Sequence, residues 1–188
     1  MTEWRTVHLT QARQVAALMD VAAGDLPAPE IPLRAHYDGL RATDANAALD
    51  FIAHALPRLE AIHWAAALVT EAPVPEAHPE HAGLRDTIRD WLDSPDDALR
   101  RKIRDLAQRL DRTSPIRTLA SAIFYSGGSI APLDTPPVLP AAGLANRLAA
   151  TAVLQAAYRS DDAGAFLARA LSQAEAIAEQ SADRRASA

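Results

Sequence analysis

The 188-residue chain has no cysteine, which excludes disulfides, thiolate metal sites and cysteine nucleophiles. Aromatic residues make up only 5%, so a core has to be built from small and aliphatic side chains. There is one lysine, Lys102, and every other basic residue is an arginine; we read this as coding bias and not chemistry. The net charge of -5 is mild and argues against a general nucleic-acid binder, which is normally basic. No apolar run approaches the ~18 residues that span a bilayer, and the first residues, MTEWRTVHLTQARQ, lack the apolar core of a secretion signal. The expected compartment is the cytoplasm.

What the chain does have is alanine, the strongest helix former, and thirteen prolines. Together they predict an all-α fold: one domain over 1–188, a compact irregular bundle of seven to nine helices built partly from helical hairpins. A short α-solenoid is the alternative. Val15, Leu18, Met19 and Ala22 place one apolar stripe on a helix over 10–23. Pro27, Pro29 and Pro32 predict a proline-rich connector over 24–42. Thr43 is the expected cap of a helix carrying Leu49, Ile52, Ala53 and Leu56, and Pro57 opens the next, with Leu59, Ile62, Ala66 and Val69 on its stripe. Ser94-Pro95 and Ser114-Pro115 read as cap and first helical residue of two more helices. The two helices of 44–70 meet at Pro57 in an expected tight corner or hairpin, 84–111 reads as a hairpin, and the two pairs together are what suggests the solenoid alternative. A second proline-rich connector covers 126–142, two further helices follow, and 181–188 is expected to fray.

The stretch FYSGGSIAPLDTPPVLP, residues 124–140, stands out. It has no lysine and follows a helix, so it is no Walker loop; it lacks G-x-G-x-x-G; and its serines lie outside the glycine pair, so it is no nucleophile elbow. Helix, then Gly127-Gly128, then proline reads as a helix stop, with either glycine left-handed. A ligand or partner at exposed amides is the functional alternative, with Tyr125, Ser126, Gly127, Gly128 and Ser129 as candidates. His63 and Trp64 join them as a candidate binding pair, Trp being enriched at interaction hot spots. His54 is too far from His63 along the helices to pair without tertiary help, and His78 and His81 flank Pro79-Glu80 on an expected loop; no metal site and no cofactor are assigned. Arg100, Arg101 and Arg104 form a candidate basic face for docking a partner, although interleaved aspartates such as Asp97, four residues before Arg101, favour a salt-bridged surface. No pair of carboxylates is forced together, so no acid/base chemistry is assigned.

Three stretches, LDFIAHALPRLEAIHWAAALV, IRDWLDSPDDALRRKIRDLA and AIFYSGGSIAPLDTPPVLPAAGLANRLAATAVLQAA, resemble an uncharacterised bacterial family over roughly residues 45 to 175. Its specific signature is A-x-[FW]-[WY]-S-G-G-S-[LI]-A-P. In the first of the three stretches His63, just before Trp64, departs from the family pattern, standing where a second aromatic is expected. The resemblance brings no catalytic residues; it implies a neighbourhood of secretion-system genes, type VI included. The leading expectation is a non-enzymatic protein-interaction module, an accessory or adaptor of a secretion or toxin-related system that binds another protein, with neither nucleic acid nor a membrane span. The alternatives are a small-molecule or enzymatic site around Tyr125, Ser126, Ser129 and His63, and a structural homo-oligomer.

Overall fold

The computed structural model describes residues 4–71 and 79–180, with 79–82 as backbone alone. Among the described residues there are nine α-helices, one short 3-10 turn at Ala23–Asp25, and no β-strand. The all-α expectation holds. The tail 181–188 and His78 lie outside the described residues, as does the side chain of His81.

Helix α1, Ala12–Leu18, is shorter than its apolar stripe predicts. Asp20 adopts a left-handed conformation at φ 59°, and the Val21 N–H turns back to Ala16 O, which closes the helix. The connector predicted over 24–42 is half helix: α2 runs over Leu33–Thr43. The last of the three prolines is Pro32, which takes the cap position, and nothing in the eleven residues beyond it forbids helix. Thr43 is therefore the end of α2, and Asp44 caps α3, Ala45–Ala55, by accepting from the Asn46 and Ala47 N–H groups. Helix α4, Arg58–Glu71, starts just after Pro57. Its buried face is broader than the predicted stripe, taking in Trp64, Ala65 and Leu68, while Leu59 is exposed.

Helix α5, Pro79–Asp93, buries Leu84, Ile88 and Trp91. The cap of α6, Asp97–Ala107, is Asp96 and not Ser94; its carboxylate accepts from the Leu99 N–H at 2.8 Å. Helix α7, Pro115–Phe124, does begin on Ser114-Pro115, although the serine hydroxyl makes no capping bond. Helix α8, Leu144–Ala157, and α9, Ala163–Glu179, complete the set.

The core centres on α8, which packs against α3, α4, α7 and α9. Its fully buried positions are almost all alanine, from Ala145 to Ala157 with Val153 among them. The neighbouring helices supply larger buried side chains, Phe51, Ile62, Trp64, Leu119 and Ile123. Each large apolar side chain so buried contributes about 1.5–3 kcal/mol. The hairpin expected over 84–111 forms, with α5 on α6. Over 44–70 the outcome is the corner and not the hairpin: α3 and α4 join across Leu56-Pro57 but touch little, and each packs chiefly on α8 or α9. Contacts of this range are incompatible with a solenoid, in which each repeat touches only its neighbours. Among the described residues, no helix is long and apolar enough to cross a membrane.

Candidate functional site

The glycine stretch and the α6 arginines meet. An α-helix leaves its last carbonyls without internal partners, and α7 ends at Phe124. Arg100, buried on α6, donates from Nη1 to Phe124 O. Its Nη2 reaches Ser129 O at 2.9 Å and the Asp97 carboxylate, which Nε also meets at 3.0 Å. Arg101 repeats the pattern one step outward, donating to Asp97 Oδ2 at 2.8 Å, Ser129 O at 2.8 Å and Ala131 O at 3.0 Å. The Arg100 and Arg104 guanidinium groups lie 4.9 and 4.5 Å from the Phe124 ring centre. Cations also suit the negative end of the α7 dipole. The expected basic docking face is thus turned inward at Arg100 and Arg101, because the carbonyls at the end of α7 and in the loop after it need such forked donors. Only Arg104 keeps substantial exposure, beside Asp105.

Between the two arginines Asp97 holds its carboxyl below the ordinary carboxylate range, first through the Arg101 hydrogen bond and then through that of Arg100. The glycines do not stop the helix. Ser126 does, its N–H and its hydroxyl both donating to Ile123 O, at 3.1 and 2.7 Å. Gly128 has a different task. It is left-handed at φ 66°, and a Cβ there would stand 3.1 Å from both Arg100 Nη2 and Asp97 Oδ1. Gly128 lets the chain pass over the buried guanidinium.

Beyond Gly128 the chain forms a closed loop. Ser129 Oγ accepts from the Ala131 and Val138 N–H groups at 3.2 and 3.1 Å, and the Ile130 N–H donates to Val138 O at 2.8 Å. Inside it, the Thr135 N–H and hydroxyl both donate to Pro132 O. Every residue from Pro132 to Leu139 is exposed, with Leu133 at 78% and Leu139 at 74%.

His63 and Trp64 lie elsewhere. Trp64 is buried and donates from Nε1 to Ala170 O of α9 at 2.9 Å, so it is a packing residue and is not offered to a partner. His63 is exposed on α4 and lines two shallow grooves, of about 370 and 350 Å³, toward α5 and α9. Neither groove takes in any of residues 125–129. His54 is buried, its Nδ1 against Asp50 O at 2.8 Å, and lines neither groove. The candidate set therefore splits into a loop anchored on α6 and an unconnected α4 surface.

Two polar residues escaped the sequence reading. Asn146 is buried in α8 and donates to Ala53 O and Leu56 O, at 2.8 and 3.0 Å. Pro57 has no N–H to offer Ala53 O, and the Asn146 amide supplies one. Tyr37, fully buried, donates to Glu175 at 2.6 Å. A lone Asn amid apolar helix positions, one turn after a glycine, was the only available signal for the first; nothing local marks the second.

No curated protein and no solved structure matches the chain. Residues 38–178, which include the α6 arginines, the loop and both grooves except for Gln180, match the model of a family of unknown function, DUF6931, and to that family the chain belongs.

Proposed function

We propose that this chain is a non-catalytic protein-interaction module and that the loop over 129–142 is its contact element. The observation that carries the reading is the contrast between the loop's root and its tip. Buried or half-buried arginines fix the root on α6, while the tip presents Leu133, Val138 and Leu139 to solvent. Single exposed apolar residues are ordinary on any surface. Three of them, gathered on a short loop whose root the fold anchors, are the arrangement that recognition favours, because ordering a loop and its side chains at an interface otherwise costs about 0.5–1.5 kcal/mol per side chain. The hydroxyls of Ser126 and Ser129 are engaged by the backbone, and His63 is remote from their surroundings, which removes the support for a catalytic or small-molecule site there. An accessory or adaptor role in a bacterial secretion system of the type VI kind, or a toxin-related one, follows from the motif resemblance and is the finer part of the proposal.

In the native host, a photo-cross-linking amino acid in place of Leu133 should form an adduct with another protein. The same group in place of Leu59, exposed on α4, should not. An adduct with a second copy of the chain would make the loop an oligomer contact instead, and no adduct at position 133 would refute the reading.

A further inference from the structure

We infer that the loop is a preformed polyproline II ligand, and that the partner surface it fits is a groove lined by aromatic side chains. The inference rests on the reading of the loop as the contact element and adds the partner's chemistry. Proline fixes its own φ near -65°, and the residue before a proline is restricted to extended conformations. In Thr135-Pro136-Pro137-Val138-Leu139-Pro140, five of six residues are a proline, precede one, or both. The sixth, Val138, is held by its own N–H on Ser129 Oγ and its carbonyl on the Ile130 N–H. Every residue of the segment is thus restrained without forming helix or strand.

A polyproline II helix has three residues per turn, so positions three apart share an edge. One edge is tied by bonds within the loop, Thr135 to Pro132 O and the Val138 backbone to Ser129 and Ile130, although both side chains stay exposed. Two edges carry no such bonds, Pro136 with Leu139 and Pro137 with Pro140. Pro136, Pro137 and Leu139 are exposed, and Pro140 is half-buried. The prolines bring no N–H, so the segment offers rings, a leucine and backbone carbonyls. That chemistry suits flat aromatic walls with an indole or phenol donor between them, the mode in which proline-rich segments are bound.

The experiment is a titration of the full chain against a panel of purified polyproline-binding domains of the SH3 and WW types. At least one should bind the wild type in the micromolar range. Combining Pro137→Ala and Pro140→Ala should weaken that binding at least about tenfold, with an unchanged circular dichroism spectrum and at most a few degrees lost in melting point. Leu59→Ala should leave it unchanged. If no domain binds, or if the double variant binds as well as the wild type, the partner class is wrong. A loop that cross-links to a protein in the host yet ignores every domain overturns only the partner class; a loop that does neither overturns the interaction reading as well.

Discussion

Gly128 and Asn146 show how much a single position carries here. Any side chain at Gly128 must accept a left-handed backbone, at about 1–2 kcal/mol, and also displace the Arg100 guanidinium or the Asp97 carboxylate. Gly128→Val is expected to lower unfolding stability by about 2 kcal/mol or more. Ser129→Ala removes an acceptor from two N–H groups, of which that of exposed Val138 can turn to water; about 1 kcal/mol is expected. Urea midpoints measured on the two variants should fall in that order. Asn146→Ala leaves Ala53 O and Leu56 O without their side-chain donor in a buried site and should lower stability by about 1–3 kcal/mol, again read as a shifted urea midpoint at unchanged slope. The sequence flagged the glycine pair and mistook its purpose. A helix stop is a local event that residue type can announce, whereas room for an arginine twenty-eight positions earlier is a tertiary fact.

At the scale of elements, the reading succeeded where prolines act locally and failed where the next residues overrule them. Pro115 opens α7 as its ring and missing N–H require, while Leu33 starts α2 one residue past a proline run because the restriction ends with Pro32. The α6 arginines were visible as a charged face; that α7 would bring its bare carbonyls to them was not. Their joint task yields a graded expectation. Arg101→Ala should speed protease cleavage between residues 132 and 139 with a stability loss of about 1 kcal/mol, since its root bonds are half-exposed. Arg100→Ala should do the same and also cost about 2–4 kcal/mol, because it strips the buried end of α7 of a charged donor. Asp97 adds a pH signature. Its folded carboxyl titrates below the unfolded one, so the stability it contributes is present above the ordinary carboxylate range and is lost as pH falls through the lowered value. Urea midpoints of wild type and Asp97→Asn should therefore differ at neutral pH and converge in strong acid.

Over the whole molecule, the first and last of the described residues close on each other. The Thr6 N–H donates to Ala178 O, its hydroxyl donates to Gln180 O, and Trp4 packs on Tyr37 at 4.9 Å between ring centres. Arg34 reaches Glu179, and Tyr37 and Arg41 both meet Glu175. These contacts join α2 to α9 across more than a hundred residues of sequence, which is why periodicity gave the helices and not their partners. Tyr37 lies at the centre of the seam. Burial first, and then the hydrogen bond to Glu175, push its phenol far above the ordinary value, because ionising it would set two negative charges together out of water. The neutral phenol therefore contributes stability in full below pH ~10, the unfolded value, and progressively less above it, where the unfolded chain ionises and the folded one does not. Tyr37→Phe keeps the ring and loses the bond to a charged acceptor, an expected cost of about 1.5–3 kcal/mol at neutral pH. The variant has no phenol at this position to ionise on unfolding. The gap between the two urea midpoints should thus be constant from pH 7 to 9 and narrow from pH 10 upward. A gap that stays fixed or widens with alkali would mean that the phenol of Tyr37 is not held neutral against Glu175.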